Sequence, residues 1–175
     1  MRGELAKRIY DRAHLDGEFR LRSGAVSNEY FDKYRFEADP ELLREIAAGM
    51  VGLLPPECDA LAGLELGGVP IATVISQLTG IPTRFVRKQP KTYGTVQLAE
   101  GGQVAGQRLV IIEDVVTSAG QIVDSCSRLR ELGAQISVAV CVIDRQAGGP
   151  ATLANEGIEL RPLLTISDLN AAAAI

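Results

Sequence analysis

Hydrophobic and polar positions along the chain follow two alternating patterns. In residues 3–14, Leu5, Ile9 and the Arg12/Ala13 pair recur at helical spacing, which predicts an amphipathic helix. Residues 17–22 and 29–36 read as short extended segments around Ser23-Gly24. Asp39-Pro40 has the form of a helix cap followed by proline at the first helical position; the helix it opens ends near Leu54, before Pro55-Pro56. Apolar strands are then expected at 59–64, 82–86, 108–112, 135–143 and 158–164. Helices are expected between them at 69–79, closed by Gly80, at 119–132, closed by Gly133, and over a short stretch at 151–156. Continuous apolar strands separated by helices predict an α/β fold with a parallel sheet covered on both faces. Ligands of such sheets sit at the carboxyl ends of the strands, so candidate chemistry is sought there.

Composition narrows the class. The chain has 175 residues, 46% hydrophobic and 23% charged. That is one domain with enough apolar surface for a sizeable core. No apolar run approaches the ~20 residues of a membrane span, and the charged first residues lack the apolar stretch of a secretory leader. The net charge of −4 argues against a duplex nucleic-acid binder. Three cysteines, Cys58, Cys126 and Cys141, are too scattered for a disulfide framework or a zinc site. Each lies among apolar residues and is expected as a buried free thiol, which suits a reducing, cytoplasmic compartment.

Three strand ends carry candidate chemistry. The apolar run Leu109-Val110-Ile111-Ile112 leads into Glu113-Asp114 and then into Val115-Val116-Thr117-Ser118-Ala119-Gly120-Gln121. Two carboxylates ending an apolar strand are costly unless something polar uses them. The small and hydroxyl residues that follow open a helix, where backbone N–H groups and the helix dipole suit a phosphate. Alternatively Thr117 or Ser118 merely caps that helix. Neither a P-loop nor a dinucleotide glycine signature is present.

The second is a local excess of cations. No acidic residue lies between Glu65 and Glu100, while Arg84, Arg87, Lys88 and Lys91 fall within eight positions. With +4 there, the rest of the chain carries −8. Such a segment suits a polyanion. It continues through a glycine-rich stretch without apolar periodicity, so residues 88–106 are expected to form a mobile loop that brings Lys91 to a phosphate-rich substrate; a solvated basic loop is the plain alternative. The third is Gly67-Gly68 between strand and helix, which allows close backbone approach to a ligand or simply makes a tight turn. His14, the single histidine, is placed near the end of the first helix in a structural role, and with one histidine no conventional nucleophile triad is available. Asp144-Arg145 either forms a surface ion pair or brings Arg145 to the crevice.

These segments together resemble the type I phosphoribosyltransferases, and among them the orotate phosphoribosyltransferases. The stretch from Val110 through Gly120 resembles their phosphoribosyl-pyrophosphate (PRPP) motif, which alone indicates the superfamily. Leu21-Arg22-Ser23-Gly24 with Ser27 and Tyr30-Phe31 resembles the substrate segment near their N-terminus. Arg87-Lys88, Lys91, Tyr93-Gly94 and Glu100-Gly101-Gly102 resemble the mobile catalytic loop. Ile143-Asp144-Arg145-Gln146 resembles the strand end whose arginine meets orotate. The resemblance runs from about residue 5 to 170. It departs at Arg22, where many members have lysine, at Tyr93, where many have histidine, and at Leu66-Gly67, where several bacterial members have a tyrosine-lysine pair. No side-chain contact with pyrophosphate is therefore expected from Leu66 or Gly67.

The resemblance implies a single type I phosphoribosyltransferase domain over residues 1–175, with residues 1–36 and the chain end forming a small hood. It implies transfer of the 5-phosphoribosyl group from PRPP to orotate, without the decarboxylase activity of some eukaryotic relatives. Lys91 and Asp114 would be catalytic. PRPP would meet Arg87, Lys88, Lys91, Tyr93, Glu113, Asp114, Val115, Val116, Thr117, Ser118, Ala119, Gly120 and Gln121. Orotate would meet Arg22, Tyr30, Phe31, Thr117 and Arg145. Magnesium would be held mainly by PRPP oxygens and water, with no metal ligands from the protein. A homodimer with loops crossing between sites is implied, with no nucleic-acid or membrane partner. The competing readings are a transferase of the same fold for another base, and a PRPP-sensing regulator without catalysis.

Overall fold

The computed structural model describes residues 2–20, 24–89 and 98–174. Its N-terminal part consists of α1 (Arg2–Ala13), an antiparallel ribbon of β1 (His14–Arg20) and β2 (Val26–Phe31), and a single helical turn, α2 (Tyr34–Glu37). Helix α1 buries Leu5, Ala6, Ile9 and Ala13, the stripe that its spacing predicts. His14 does not lie in the helix: it opens β1, and its ring stacks on Tyr10 at 4.7 Å between centroids. The extended segment expected over 29–36 stops at Phe31. The Asp32 N–H donates to Ala13 O, and Asp32 Oδ1 accepts from the Tyr34 N–H, turning the chain into α2. This turn buries Phe36 completely and carries Glu37 inward.

Helix α3 (Pro40–Val51) starts as predicted, with the Asp39 side chain accepting from the Glu41 and Leu42 N–H groups. The chain then builds β3 (Ala60–Leu64), α4 (Gly68–Thr79), β4 (Thr83–Val86), β5 (Ala99–Glu100), β6 (Arg108–Val116), α5 (Gly120–Glu131), β7 (Gln135–Asp144), α6 (Gly149–Asn155), β8 (Glu159–Thr165) and α7 (Ile166–Ala173). The sheet order is β5-β4-β3-β6-β7-β8, parallel except at β5. Successive side chains of β6 and β7 enter opposite cores. Val110, Ile112, Val140 and Val142 pack with Ile46, Met50, Ile71 and Ile75 on one face. Leu109, Ile111, Ala139 and Cys141 pack with Ile122, Cys126, Leu129 and Leu153 on the other. Each fully buried leucine or isoleucine contributes roughly 1.5–3 kcal/mol, so the two cores hold the strand ends firmly.

Three features differ from the sequence reading. The expected loop over 88–106 is partly built: β5 pairs with β4, and Leu98, Ala99 and Val104 are buried. Arg84 is not available to a polyanion. It is buried on β4, and its guanidinium donates to the carbonyls of Thr83, Gly101 and Gln103 and to Gln107 Oε1, which pins the edge of the sheet. The chain end forms α7, which packs on α1 through buried Leu169 and Ala172 and is fixed by a Thr165–Asp168 capping box. Cys126 and Cys141 are buried free thiols, and Cys58 is half-buried.

Candidate functional site

Strand β6 outruns β3. Its pairing with β3 ends at Ile112, while its pairing with β7 continues to Val116. Glu113 and Asp114 therefore belong to the strand rather than to the loop after it. The exposed end of the ladder is satisfied locally: the Asp114 N–H donates to Glu113 Oε1 at 3.0 Å, and the Val115 N–H donates to Asp114 Oδ1 at 2.5 Å. Asp114 is fully buried. Lys33 Nζ, reaching from the turn after β2, lies 2.5 Å from Asp114 Oδ2. Glu37 Oε1 and Asp114 Oδ2 are both sealed from solvent, and the Lys33 ammonium meets Asp114 Oδ2 as an ion pair.

Charge is shared unequally here. Burial, reinforced by the hydrogen bond and negative charge of Asp114, pushes Glu37 up to about 9. Burial and the same neighbouring charge push Glu113 well above the usual carboxylate range. Burial alone would also raise Asp114, but hydrogen bonds from Glu113 and Lys33 outweigh it and hold this carboxyl below its ordinary value. Lys33 is shifted upward: burial opposes its charge, but the hydrogen bond and charge of Asp114 win. Burial and the Asp114 charge thus favour the protonated forms of Glu37 and Glu113, while the Lys33 ammonium favours the ionised form of Asp114.

Beyond Val116 the chain turns into α5. Ala119 adopts a left-handed conformation, φ 65°, and no side chain caps the helix, so Thr117 and Ser118 are not simple caps. The first N–H groups of α5 have no side-chain cap, and such uncapped groups suit an anion. Lys33, Tyr34, Glu65, Leu66, Lys88, Glu113, Asp114, Val115, Val116, Thr117, Ser118, Ala119 and Gln121 line one cavity. Gln121 Nε2 donates to Glu65 O at 3.3 Å, and the Lys88 N–H donates to Glu65 Oε2 at 2.9 Å, tying three walls together. Arg87 Nε lies 3.3 Å from Glu100 Oε1. Gly67 and Gly68 do approach something closely, but it is β6. A Cβ on Gly68 would fall 2.2 Å from Ile112 O, and one on Gly67 would fall on the Asp114 carboxylate.

Another cavity is linked to this one by a backbone hydrogen bond. It is lined by Tyr10, His14, Ser27, Glu29, Tyr30, Phe31, Arg145, Ile166 and Asn170. The Arg145 N–H donates to Val116 O at 2.8 Å and joins the two sites through the backbone. Among the described residues Arg145 makes no ion pair with Asp144. Asp144 is buried and accepts from the Gln146 N–H, while Arg145 is exposed. His14 Nε2 lies 3.0 Å from Glu29 Oε2, which sets one wall. Arg22, Lys91 and Tyr93 lie outside the described residues.

The structure thus brings Lys88, Glu113, Asp114, Val115, Val116, Thr117, Ser118, Ala119 and Gln121 to one cavity, and Tyr30, Phe31 and Arg145 to the other. Gly120 opens α5 beside the first. Sequence reasoning passed over Lys33, Glu37 and Glu65. The one available signal was indirect: a strand ending in two carboxylates calls for a cation, but the sequence does not say which of eighteen arginines and lysines answers.

A mostly parallel sheet flanked by helices, with an acidic pair at the end of β6 and an uncapped helix start just beyond it, is the arrangement of a type I phosphoribosyltransferase. The phosphoribosyl transferase domain family matches residues 35–156 of the chain. Over 168 residues, 96% of this chain and 94% of the relative, it is 55% identical to an orotate phosphoribosyltransferase from Nocardioides sp.. Orotate phosphoribosyltransferase from Mycobacterium tuberculosis H37Rv superposes with a TM-score of 0.87 at 29% identity, covering 96% of this chain and 98% of that one. The same enzyme in complex with PRPP gives a TM-score of 0.82 at 27% identity, over 97% and 98% of the two chains. The chain belongs to the orotate phosphoribosyltransferase family and is a transferase.

Proposed function

We propose that the two linked cavities hold PRPP and orotate, and that the chain joins them to give orotidine 5-monophosphate and pyrophosphate. The observation that carries this reading is the backbone link between Val116 and Arg145, which sets an anion cradle beside an aromatic-walled pocket bearing one exposed guanidinium. The N–H groups and hydroxyls of the turn at 116–120, with Gln121 behind them, would take the 5-phosphate. Glu113 and Asp114 would face the ribose hydroxyls. The ring nitrogen of orotate would form its bond to C1 as the bond from C1 to the pyrophosphate oxygen breaks, and the ring N–H proton would be lost. The ribose gains positive character as this happens, so positioning and charge stabilisation are the work required. The Asp114 carboxylate would lie on the side where that charge develops.

Arg87, Lys88 and Lys91 would neutralise the departing pyrophosphate, with Tyr93 beside them. Tyr30 and Phe31 would wall the base, Thr117 would border it, and Arg22 and Arg145 would meet its carboxylate or carbonyls. Among the described residues no three His, Cys, Asp or Glu side chains converge on a metal-sized space. A magnesium ion would take its ligands mainly from PRPP oxygens and water, and would supply charge neutralisation at the pyrophosphate. The reading extends to a homodimer in which the Lys91 loop of one subunit serves the site of the other, and to a cytoplasmic enzyme of pyrimidine biosynthesis. Purified protein with PRPP, magnesium and a panel of bases tests it: release of pyrophosphate that requires orotate supports it. Equal release with uracil or a purine would favour a transferase for another base, and binding of PRPP without turnover would favour a regulator.

A further inference from the structure

We infer that Lys33 is a positioning residue for PRPP: its ammonium holds the Asp114 carboxylate in place for the ribose hydroxyls and balances its charge. The inference deepens the assignment of Asp114 to the ribose and rests on it. Asp114 is the sole residue of its kind that the strand buries completely, and an isolated ion there would be strongly disfavoured. Besides the Val115 N–H, four groups face it. Gly67 presses on the carboxylate from α4's entry, and Glu113 and Glu37 approach from β6 and α2. Lys33 Nζ, against Asp114 Oδ2, supplies positive charge that helps hold Asp114 below its ordinary value.

The geometry gives Lys33 a place in the site as well as a partner. Its side chain keeps 33% of its surface exposed, lies on the wall of the PRPP cavity, and has Tyr34 at 5.3 Å from ammonium to ring centroid. The stem comes from the turn that ends the β2 segment, two residues after Phe31. Lys33 therefore ties the pocket proposed for the base to the acid proposed for the ribose. Without the ammonium, Asp114 would lose its compensating charge and the contact that fixes its carboxylate.

A double-mutant cycle on the full-length protein reads this out. PRPP binding is measured by calorimetry on every variant, and the Michaelis constants for PRPP and orotate are measured on wild type and the Lys33 single variants. Lys33→Met should weaken PRPP about tenfold or more, with a smaller change in the orotate constant. Lys33→Arg should restore most of the loss, because it keeps the cation; rescue by arginine separates charge from simple packing. Asp114→Asn should weaken PRPP by itself, and adding Lys33→Met to it should cost little more, since the two act through one contact. A neutral Lys33→Met beside a damaging Asp114→Asn overturns the inference alone. Losses that multiply in the double variant also overturn it, because Lys33 then acts elsewhere. A neutral Asp114→Asn overturns the ribose assignment and the inference together. If Lys33→Met does not fold, equal PRPP binding by Lys33→Gln and wild type would overturn the inference.

Discussion

Gly67 and Asp114 occupy one small space from opposite sides: a Cβ built on Gly67 would fall 1.6 Å from Asp114 Oδ2 and 2.4 Å from its Cγ. The glycine has an ordinary helical φ of −66°, so it is required for room rather than for backbone freedom. Gly67→Ala must push either the start of α4 or the carboxylate aside. Overpacking of this kind costs roughly 1–3 kcal/mol. The variant should lose that much stability in denaturant unfolding and should raise the PRPP Michaelis constant more than the orotate constant. Wild-type stability with wild-type PRPP binding would mean that the carboxylate does not sit against Gly67.

Glu37 makes stability depend on pH in a defined direction. Its folded-state pKa is raised to about 9 from the ordinary 4.5, so the folded chain holds a proton that the unfolded chain releases between those values. The stability it contributes is fully present below about pH 4.5 and is lost as pH rises toward 9. Glu37→Gln imitates the protonated acid and removes this dependence. Wild type and variant should have similar melting temperatures near pH 5, and the variant should gain on the wild type by pH 8. Parallel curves across that range would show that Glu37 is ionised in the fold.

Arg145 is exposed and is not paired with Asp144, so its guanidinium is available to a ligand. A charge-assisted hydrogen bond is worth roughly 1.5–3 kcal/mol, about 10- to 150-fold in binding. Arg145→Ala should raise the orotate Michaelis constant by that factor and leave PRPP affinity largely intact. Lysine should rescue partly, because it lacks the planar fork of donors. Equal losses for both substrates would indicate a collapsed site, and no loss would detach Arg145 from the base.

How much of this was legible in the sequence follows from what each signal depends on. The Asp39-Pro40 start, Gly80 and Gly133 are local rules of chain conformation, and they placed α3, α4 and α5 to within a few residues. The apolar runs placed β3, β6 and β7 in order. The true end of β6 was hidden, because it depends on β7 continuing where β3 stops, a matter of pairing between distant segments. Strand β5 was hidden too. Two residues carry no periodicity, and they become a strand only through Phe85 and Val86. Arg84 looked like its cationic neighbours Arg87 and Lys88, but its alternate position on β4 turns it inward. Lys33 lies far from Asp114 along the chain, and only the turn at Asp32 brings them together.

The Lys91 loop can be tested for service across a dimer. Lys91→Ala should lower turnover about 10²–10³-fold, as loss of one charge-stabilising contact does, with a smaller effect on PRPP affinity. Asp114→Asn should be inactive through the PRPP pocket. When the two variants are mixed and subunits exchange, a hybrid dimer with loops acting in trans has one site carrying both defects and one carrying neither. Activity should then reappear. Exchange without recovery would place each loop in its own subunit's site.

The central claim is that PRPP and orotate meet across the Val116–Arg145 link. The most direct test follows the ultraviolet absorbance of orotate in the presence of purified protein, PRPP and magnesium, with pyrophosphate measured alongside. Orotate should disappear only when PRPP is present, one pyrophosphate should be released for each orotate consumed, and uracil, adenine and guanine should leave PRPP intact. Orotate left unchanged while PRPP binds, or PRPP consumed as readily with another base, would contradict it.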